Sequence, residues 1–365
     1  MTPPLGPRPS PEGPDTRAPA PRRPLPWAAM VVSLTMVSAV ALWWGSVPVG
    51  WRDVLDAMLR GVTGRPLQGA AAIVWQLRLP RVLVGLVAGA ALGISGAALQ
   101  GIFRNPLADP YLTGVASGAL FGAAVAMAAG QALPQAFTGL AEAGATGYLV
   151  PAAAFAGGLG AVLAAVVLAR TAGGRRTTDL VLAGVVVGSV LTAATTYLMM
   201  RDADRVRAVF SWSLGNLGTV GWPQLRLALP GAALGSALLL VAGRPLNAIQ
   251  MGEDVAASLG LPVGPLKTGV IAAASLATAS VVAQVGIIGF VGLVVPHILR
   301  RLLGGDYRAL LPASAVGGAL LLVAADLGAR VAVRPAELPV GVVTTLLGGP
   351  FFLYLLKRGD RHAEP

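Results

Sequence analysis

The chain contains no cysteine, which excludes disulfides, thiolate nucleophiles and Cys-ligated metal sites. Histidine is almost as scarce. His297 and His362 are the only imidazoles, too far apart to build a His-Glu-x-x-His metalloprotease helix. A phosphate-binding P-loop needs adjacent Gly-Lys, and the only lysines, Lys267 and Lys357, each follow a leucine. No nucleophile with a base, carboxylate pair or metal cluster can be assembled from what remains, so the chain reads as a non-enzyme. Charge is short as well: Asp, Glu, Lys and Arg are 12% of 365 residues, whereas soluble domains carry about a quarter.

What is present is apolar. Hydrophobic residues make up 55% of the chain and mean hydropathy is +0.72, too little polar surface for a soluble fold of this length. The 48 glycines fit a membrane bundle, where small residues let helix backbones approach. The net charge of +11 is scattered over short loops rather than gathered on a stripe with aromatics, which argues against nucleic acid.

Residues 1–26 are rich in proline and include Arg8, Arg17, Arg22 and Arg23, a composition that predicts a disordered cytoplasmic tail. The apolar run that follows contains Ala39-Val40-Ala41, which resembles a signal-peptidase site, but it continues through Leu42, Trp43 and Trp44 and reads as an uncleaved span. At about 20 apolar residues per helix, spans are expected near 27–47, 81–103, 111–130, 149–169, 179–200, 224–243, 265–285, 287–303, 309–330 and 339–357. The seventh and eighth are separated by the closely spaced Gly286, Gly289 and Gly292. The predicted fold is an all-α polytopic membrane protein of about ten transmembrane helices over 27–358, with a short cytoplasmic tail at 359–365.

An even number of spans puts both termini on one side. With the termini inside, inner segments hold 16 Lys and Arg against 11 outside, in the direction of the positive-inside rule. Glycines four apart recur at Gly85, Gly89, Gly93; at Gly114, Gly118, Gly122; at Gly184, Gly188; and at Gly231, Gly235. Each set predicts a smooth face for close helix contact.

The inner loop 244–264 holds a short helix-like stretch, with Glu253 and Asp254 at its start and Gly260-Leu261-Pro262 at its stop. A surface helix of this kind suits docking into a groove of a soluble partner, or is a capped connector. In the fifth span, Ser189, Thr192, Thr195 and Thr196 recur at three- and four-residue spacing, which puts hydroxyls on one face. They either line a pathway or bond back to their own helix. His297 is expected to be an interfacial hydrogen-bonding residue. Asp326, the one clearly embedded acid, has Arg330 one turn away to pair with it.

These residues resemble the FecCD-type permeases of ABC importers. The likeness runs from about Trp75 to Arg358. It rests on Leu77-Arg78-Leu79-Pro80-Arg81, on Gly96-Ala97-Ala98-Leu99-Gln100-Gly101-Ile102-Phe103-Arg104-Asn105-Pro106-Leu107-Ala108-Asp109-Pro110, on the 252–262 loop, on Gly289-Phe290-Val291-Gly292-Leu293-Val294-Val295-Pro296-His297, and on Glu337-Leu338-Pro339-Val340-Gly341-Val342-Val343-Thr344. The proline-rich tail has no counterpart.

The resemblance implies a type II ABC importer permease-like bundle in a bacterial plasma (inner) membrane. Its partners would be a second permease subunit, identical or a close paralogue, two ATP-binding-cassette ATPase subunits and an extracytoplasmic binding protein. ATP and Mg would sit on the ATPase, with no cofactor or metal on this chain. It implies that the 252–262 loop is the coupling helix, with Glu253, Asp254, Ala257, Gly260 and Leu261 meeting the ATPase. By the same likeness Asn105 and Leu107, with Thr177 and Thr178, form a cytoplasmic gate, and Arg78, Arg81 and Arg330 receive acids of the binding protein. Family cargoes are ferric siderophores, haem and cobalamin, with a ferric siderophore the expectation here. The rival reading is an ion-gradient-driven secondary transporter, which would place unpaired acids within broken helices.

Overall fold

The computed structural model describes residues 24–132, 146–171, 177–200 and 203–359; most of the expected N-terminal tail, and the C-terminal tail beyond Gly359, lie outside these. Every regular element among the described residues is helical. In chain order they are α1 (Pro24–Trp43), α2 (Trp51–Thr63), α3 (Gly69–Phe103), α4 (Val115–Ala132), α5 (Thr146–Thr171), α6 (Thr177–Met199) and α7 (Ala203–Ser213). There follow α8 (Trp222–Val241), α9 (Gly243–Gln250), α10 (Glu253–Ser258), α11 (Val263–Val285), α12 (Val291–Leu303), α13 (Tyr307–Val331) and α14 (Val340–Gly359).

Ten of these coincide with the expected spans. By length and composition α3, α5, α6, α8, α11 and α13 suffice to cross a membrane, whereas the apolar parts of α1, α4 and α14 are shorter. Four boundaries differ from expectation by four residues or more, one of them the start of the third span, at Val115 rather than 111. The first span ends at Trp43 rather than 47. The second begins at Gly69 rather than 81, because a π-helical turn at Val74–Arg78 joins an outer segment to the span. The eighth, α12, has only 13 residues, about 20 Å at 1.5 Å per residue, short of the ~30 Å hydrocarbon core.

α3 is the hub: 78% of its most apolar window is buried, against 22% for the peripheral α6. Its burial follows from its glycines. A Cβ on Gly89 would overlap the backbone of Gly318 and Ala319 in α13, one on Gly93 would overlap the Ser314 carbonyl, and one on Gly96 would overlap Gly292 of α12. The other glycine runs do the same elsewhere. Gly118 and Gly122 press on Gly157 and Ala153 of α5, Gly184 on the Leu112 carbonyl, Gly231 on Ser280 and Gly235 on Ala273 and Ala277 of α11. Gly85, Gly114 and Gly188 are less tight, a Cβ there coming no nearer than 3.1 to 3.3 Å to Val323, Gly184 and Ser117.

Two chain breaks meet inside the bundle. The 3-10 turn Pro110–Thr113 precedes α4, and residues 286–290 precede α12, with Gly286 and Phe290 at positive φ. Backbone released from helices at membrane depth must be satisfied by protein. Tyr111 does this with one hydroxyl, which donates to the Ile288 carbonyl at 2.9 Å and accepts from the Ile288 amide at 3.1 Å. Asn216 N donates to the Val285 carbonyl at 2.8 Å. α12 therefore starts beside Leu92 and Gly96, midway along α3.

Gly96→Ala should cost about 1–3 kcal/mol, the range for overpacking, and should lower the thermal midpoint of the purified chain in detergent. Gly160→Ala and Gly269→Ala, where a Cβ meets nothing within 4 Å, should leave the midpoint at or above that of the parent.

Candidate functional site

At the end of the bundle where α8 finishes, the chain turns through α9 and α10 before α11. α9 buries Gly243, Leu246 and Ile249, and from its other side chains it reaches two neighbours. Asn247 donates to Asp306 at 2.6 Å and accepts from the Tyr307 amide at 2.8 Å, which fixes it to the N-cap of α13. Gln250 donates to the Gly101 carbonyl at 2.8 Å, in the last turn of α3, a carbonyl that also accepts from the Arg104 amide at 3.3 Å. Arg300 completes the cluster, donating to the Tyr307 hydroxyl at 3.0 Å.

α10 is anchored by buried Ala256 and by Glu253, whose carboxylate meets Lys267 of α11 at 2.6 Å. Gly252 and Gly260 bracket it at φ 124 and 80, conformations that favour glycine. Asp254, Ala257 and Gly260 lie exposed, and Leu261 is half-buried. The expected surface helix is thus present, with its polar edge outward. Of its candidate contacts, Glu253 already holds an internal partner.

The expected gate residues begin one turn beyond Gly101. α3 ends at Arg104 with φ 49, Asn105 caps the turn by accepting from Leu107 N at 2.9 Å, and the Leu107 side chain is exposed. Thr178 is exposed at the start of α6; Thr177 opens that helix, but its side chain lies outside the described residues.

A cleft of about 550 Å³ opens along α6, lined among others by Tyr111, Ser117, Gly184, Ser189, Thr192 and Thr196. Among the described residues, no charged side chain lines it. Ser189 and Thr196 donate to the Val185 and Thr192 carbonyls at 2.8 and 3.0 Å, so these hydroxyls bond back to the helix while lining this cavity. Thr195 departs from the expected face. It is buried against neighbouring helices and donates to Leu191 O at 2.8 Å.

Arg78, Arg81 and Arg330 converge at the opposite end of α3, and all are turned into the bundle. Arg78 is buried and donates to the carbonyls of Leu42 at 3.0 Å, Trp43 at 2.6 Å and Val47. Arg81 grips Asp326 with Nε and Nη2, the closest approach 2.8 Å, and reaches Glu337 with Nη1 at 2.7 Å. Arg330 lies 3.2 Å from Asp326 and donates to the Ala41 carbonyl at 3.0 Å. The expected Asp326–Arg330 pair is therefore present, and Arg81 is a second partner of the same acid. Burial alone would push the Glu337 carboxyl up, but the Arg81 hydrogen bond and charge hold it below its ordinary range.

His297 does not form the expected hydrogen bond: its Nε2 is buried without a partner and its ring sits edge-on to Phe351 at 6.4 Å. No cluster of metal-ligating side chains occurs among the described residues.

The family model described as the FecCD transport family matches residues 32–358. The chain is 43% identical over 288 residues to the cobalamin import system permease protein BtuC of Halobacterium salinarum, covering 79% of this chain and 74% of that one. It is 37% identical to the hemin transport system permease protein HmuU of Yersinia pestis, over 90% and 96% of the two chains. A solved inward-facing structure assigned to the metal-chelate type of ABC transporter superposes with a TM-score of 0.76 at 28% identity, over 92% of this chain and all of that one.

Arg81→Gln should destabilise the fold by about 3 kcal/mol, the order found when one partner of a buried ion pair is removed, and adding Asp326→Asn should restore part of that loss. Glu337→Gln, at a pair whose acid is 29% exposed, should cost under about 1 kcal/mol. Thermal unfolding of the three purified variants checks both.

Proposed function

This chain belongs to the FecCD transport family, and we propose that it is the membrane-spanning permease of an ABC importer whose cargo is a ferric siderophore, with cobalamin and haem as the other chelates of the class. Two copies, or this chain and a close paralogue, enclose the pathway in a plasma membrane, with both termini cytoplasmic. Two ATPase subunits hold ATP and Mg and dock on α10. An external binding protein delivers the chelate. The observation that carries this reading is the α9–α10 segment, exposed on one edge and hydrogen-bonded through Gln250 to the end of α3 that leads into Asn105 and Leu107.

In that reading, closure of the ATPase on ATP pushes Asp254, Ala257 and Gly260, with Leu261 seating the loop. Because α9 is tied to the N-cap of α13 by Asn247 and to the last turn of α3 by Gln250, the inner ends of both helices move with it. Asn105, Leu107 and the start of α6 at Thr177 and Thr178 then open or close, a rigid-body switch of the kind that alternates access. The uncharged, hydroxyl-lined cleft offers the chelate weak contacts and no binding site deep enough to trap it.

Docking of the binding protein at Arg78, Arg81 and Arg330 takes a narrower form given their burial. Arg81, whose Glu337 partner is half-buried, is the one placed to exchange an internal carboxylate for an external one. An ion-gradient mechanism would need an acid free to change partner, and Asp326 is held by two arginines.

Reconstitution tests the function: proteoliposomes with the ATPase and binding protein should take up a ferric siderophore only with ATP, and uptake without the ATPase would favour the gradient-driven carrier. Gln250→Leu should leave ATP hydrolysis by the complex in place while uptake falls up to about tenfold, the equivalent of one hydrogen bond of ~1.4 kcal/mol. Equal losses in both activities would remove Gln250 from the linkage. Single cysteines at Ser258 and Thr219 should be shielded from and open to an impermeant external thiol reagent, respectively; the same reagent applied at Ser10 and Arg361, beyond the described residues, should find both closed.

A further inference from the structure

α2 is an amphipathic helix that is neither a span nor part of the coupling segment, and its three faces are chemically distinct. At ~100° per residue, Val54, Ala57, Met58 and Gly61 fall on one side, which packs on Ala71 and Val74 at the start of α3; a Cβ at Gly61 would overlap the Trp75 indole. A second side carries Arg52, Asp56 and Arg60, the last two paired at 2.7 Å. The third carries Trp51, Leu55, Leu59 and Val62, spaced at four, four and three residues, and these are 54–81% exposed. A soluble helix packed on a protein has one apolar face. This one has two, side by side, and only one is covered.

The uncovered face does not stand alone. The preceding helix α1, read above as the first span, likewise exposes apolar side chains, Met36 and Trp43 among them. Around this level the chain gathers Trp43, Trp44, Trp51, Trp75 and Trp222. Trp75 and Trp222 lie 5.6 Å apart and are joined by a hydrogen bond from the Trp222 indole to the Trp75 carbonyl; Arg334 lies over Trp44 and Arg52 over Trp51. Indoles with arginine caps mark a membrane–water boundary. We propose that α2 is an interfacial helix that lies in the headgroup layer, with Trp51, Leu55, Leu59 and Val62 buried among lipid acyl chains and Arg52, Asp56 and Arg60 in water. It fixes the depth of the α1–α3 connection, whose Val47 carbonyl holds Arg78 together with those of Leu42 and Trp43 at the end of α1. The assignment does not depend on which side of the membrane is outer or on what the chain transports.

The cysteine-free chain allows a direct test. Nitroxide labels on single cysteines at Leu55, Leu59, Arg52 and Thr63 are read by power saturation with the full-length protein in lipid nanodiscs, using molecular oxygen and a water-soluble nickel chelate. Labels at 55 and 59 should be several-fold more accessible to oxygen than to nickel, and labels at 52 and 63 the reverse. Equal nickel access at 55 and 52 would overturn the proposal. Immobile labels at 55 and 59 closed to both reagents would also overturn it, because that is the signature of a protein partner on this face. A doubly labelled Leu55/Leu59 chain that retains its thermal midpoint excludes misfolding as the source of either result.

Discussion

The approach of α3 to its neighbours at backbone distance is the constraint on which the rest of the molecule depends. In a bilayer the lipid tails are as apolar as leucine, so apolar burial gives helices little reason to associate. Dispersion contacts at close range and polar groups that find partners must do it instead. Gly89, Gly93 and Gly96 let α3 lie against α13 and α12 with no side chain between. Once that contact is made, the positions of Arg81, Gln100 and Gly101 along α3 are set, and with them the levels at which the outer ion cluster and the inner α9 contact occur.

The same solvent explains the polar features. A carboxylate as buried as Asp326 is costly unless paired, and it meets two guanidinium groups, one four residues away in its own helix and one from α3. The third arginine, Arg78, donates to the carbonyls of Leu42 and Trp43 in the last turn of α1 and of Val47 in the stretch that follows. Satisfying that stretch in this way ties α1 to α3, just as Tyr111 satisfies the break before α12. At these two places a polar side chain sits where the backbone leaves a helix and closes a gap that lipid could not.

Much of this was legible in the sequence. The spans were, because composition over about 20 residues is all that hydropathy needs. The glycine runs were legible as contact faces, though not which helix each would meet. Asp326 and Arg330 could be paired because i,i+4 is a local relation, whereas Arg81 and Asp326 are 245 residues apart and no local pattern joins them. Gln250 and Asn247 carry no signal either, since their partners are a backbone carbonyl and a helix cap that exist only in the folded chain. α2 and α7 were missed for a different reason. Helices of 13 and 11 residues with mixed polarity fail a search for spans, although the spacing of Trp51, Leu55, Leu59 and Val62 was there to be read. The half-length α12 was expected at its glycine break, but its depth follows only from where Gly292 meets α3.

On the proposed importer reading, α3 and α13 move together as one unit. The glycine seam between α3 and α13 has no slack for sliding, while the inner ends are joined to α9 by two hydrogen bonds that a rigid-body displacement carries along. The most direct test is a pair of electron–electron distance measurements on the assembled protein with and without ATP. Labels at Leu107 in the two copies should shift their separation by several ångströms, a helix-shift scale, while a pair placed on the lipid-facing sides of α3 and α13 should not change. A seam distance that moved as much as the Leu107 distance would contradict the account.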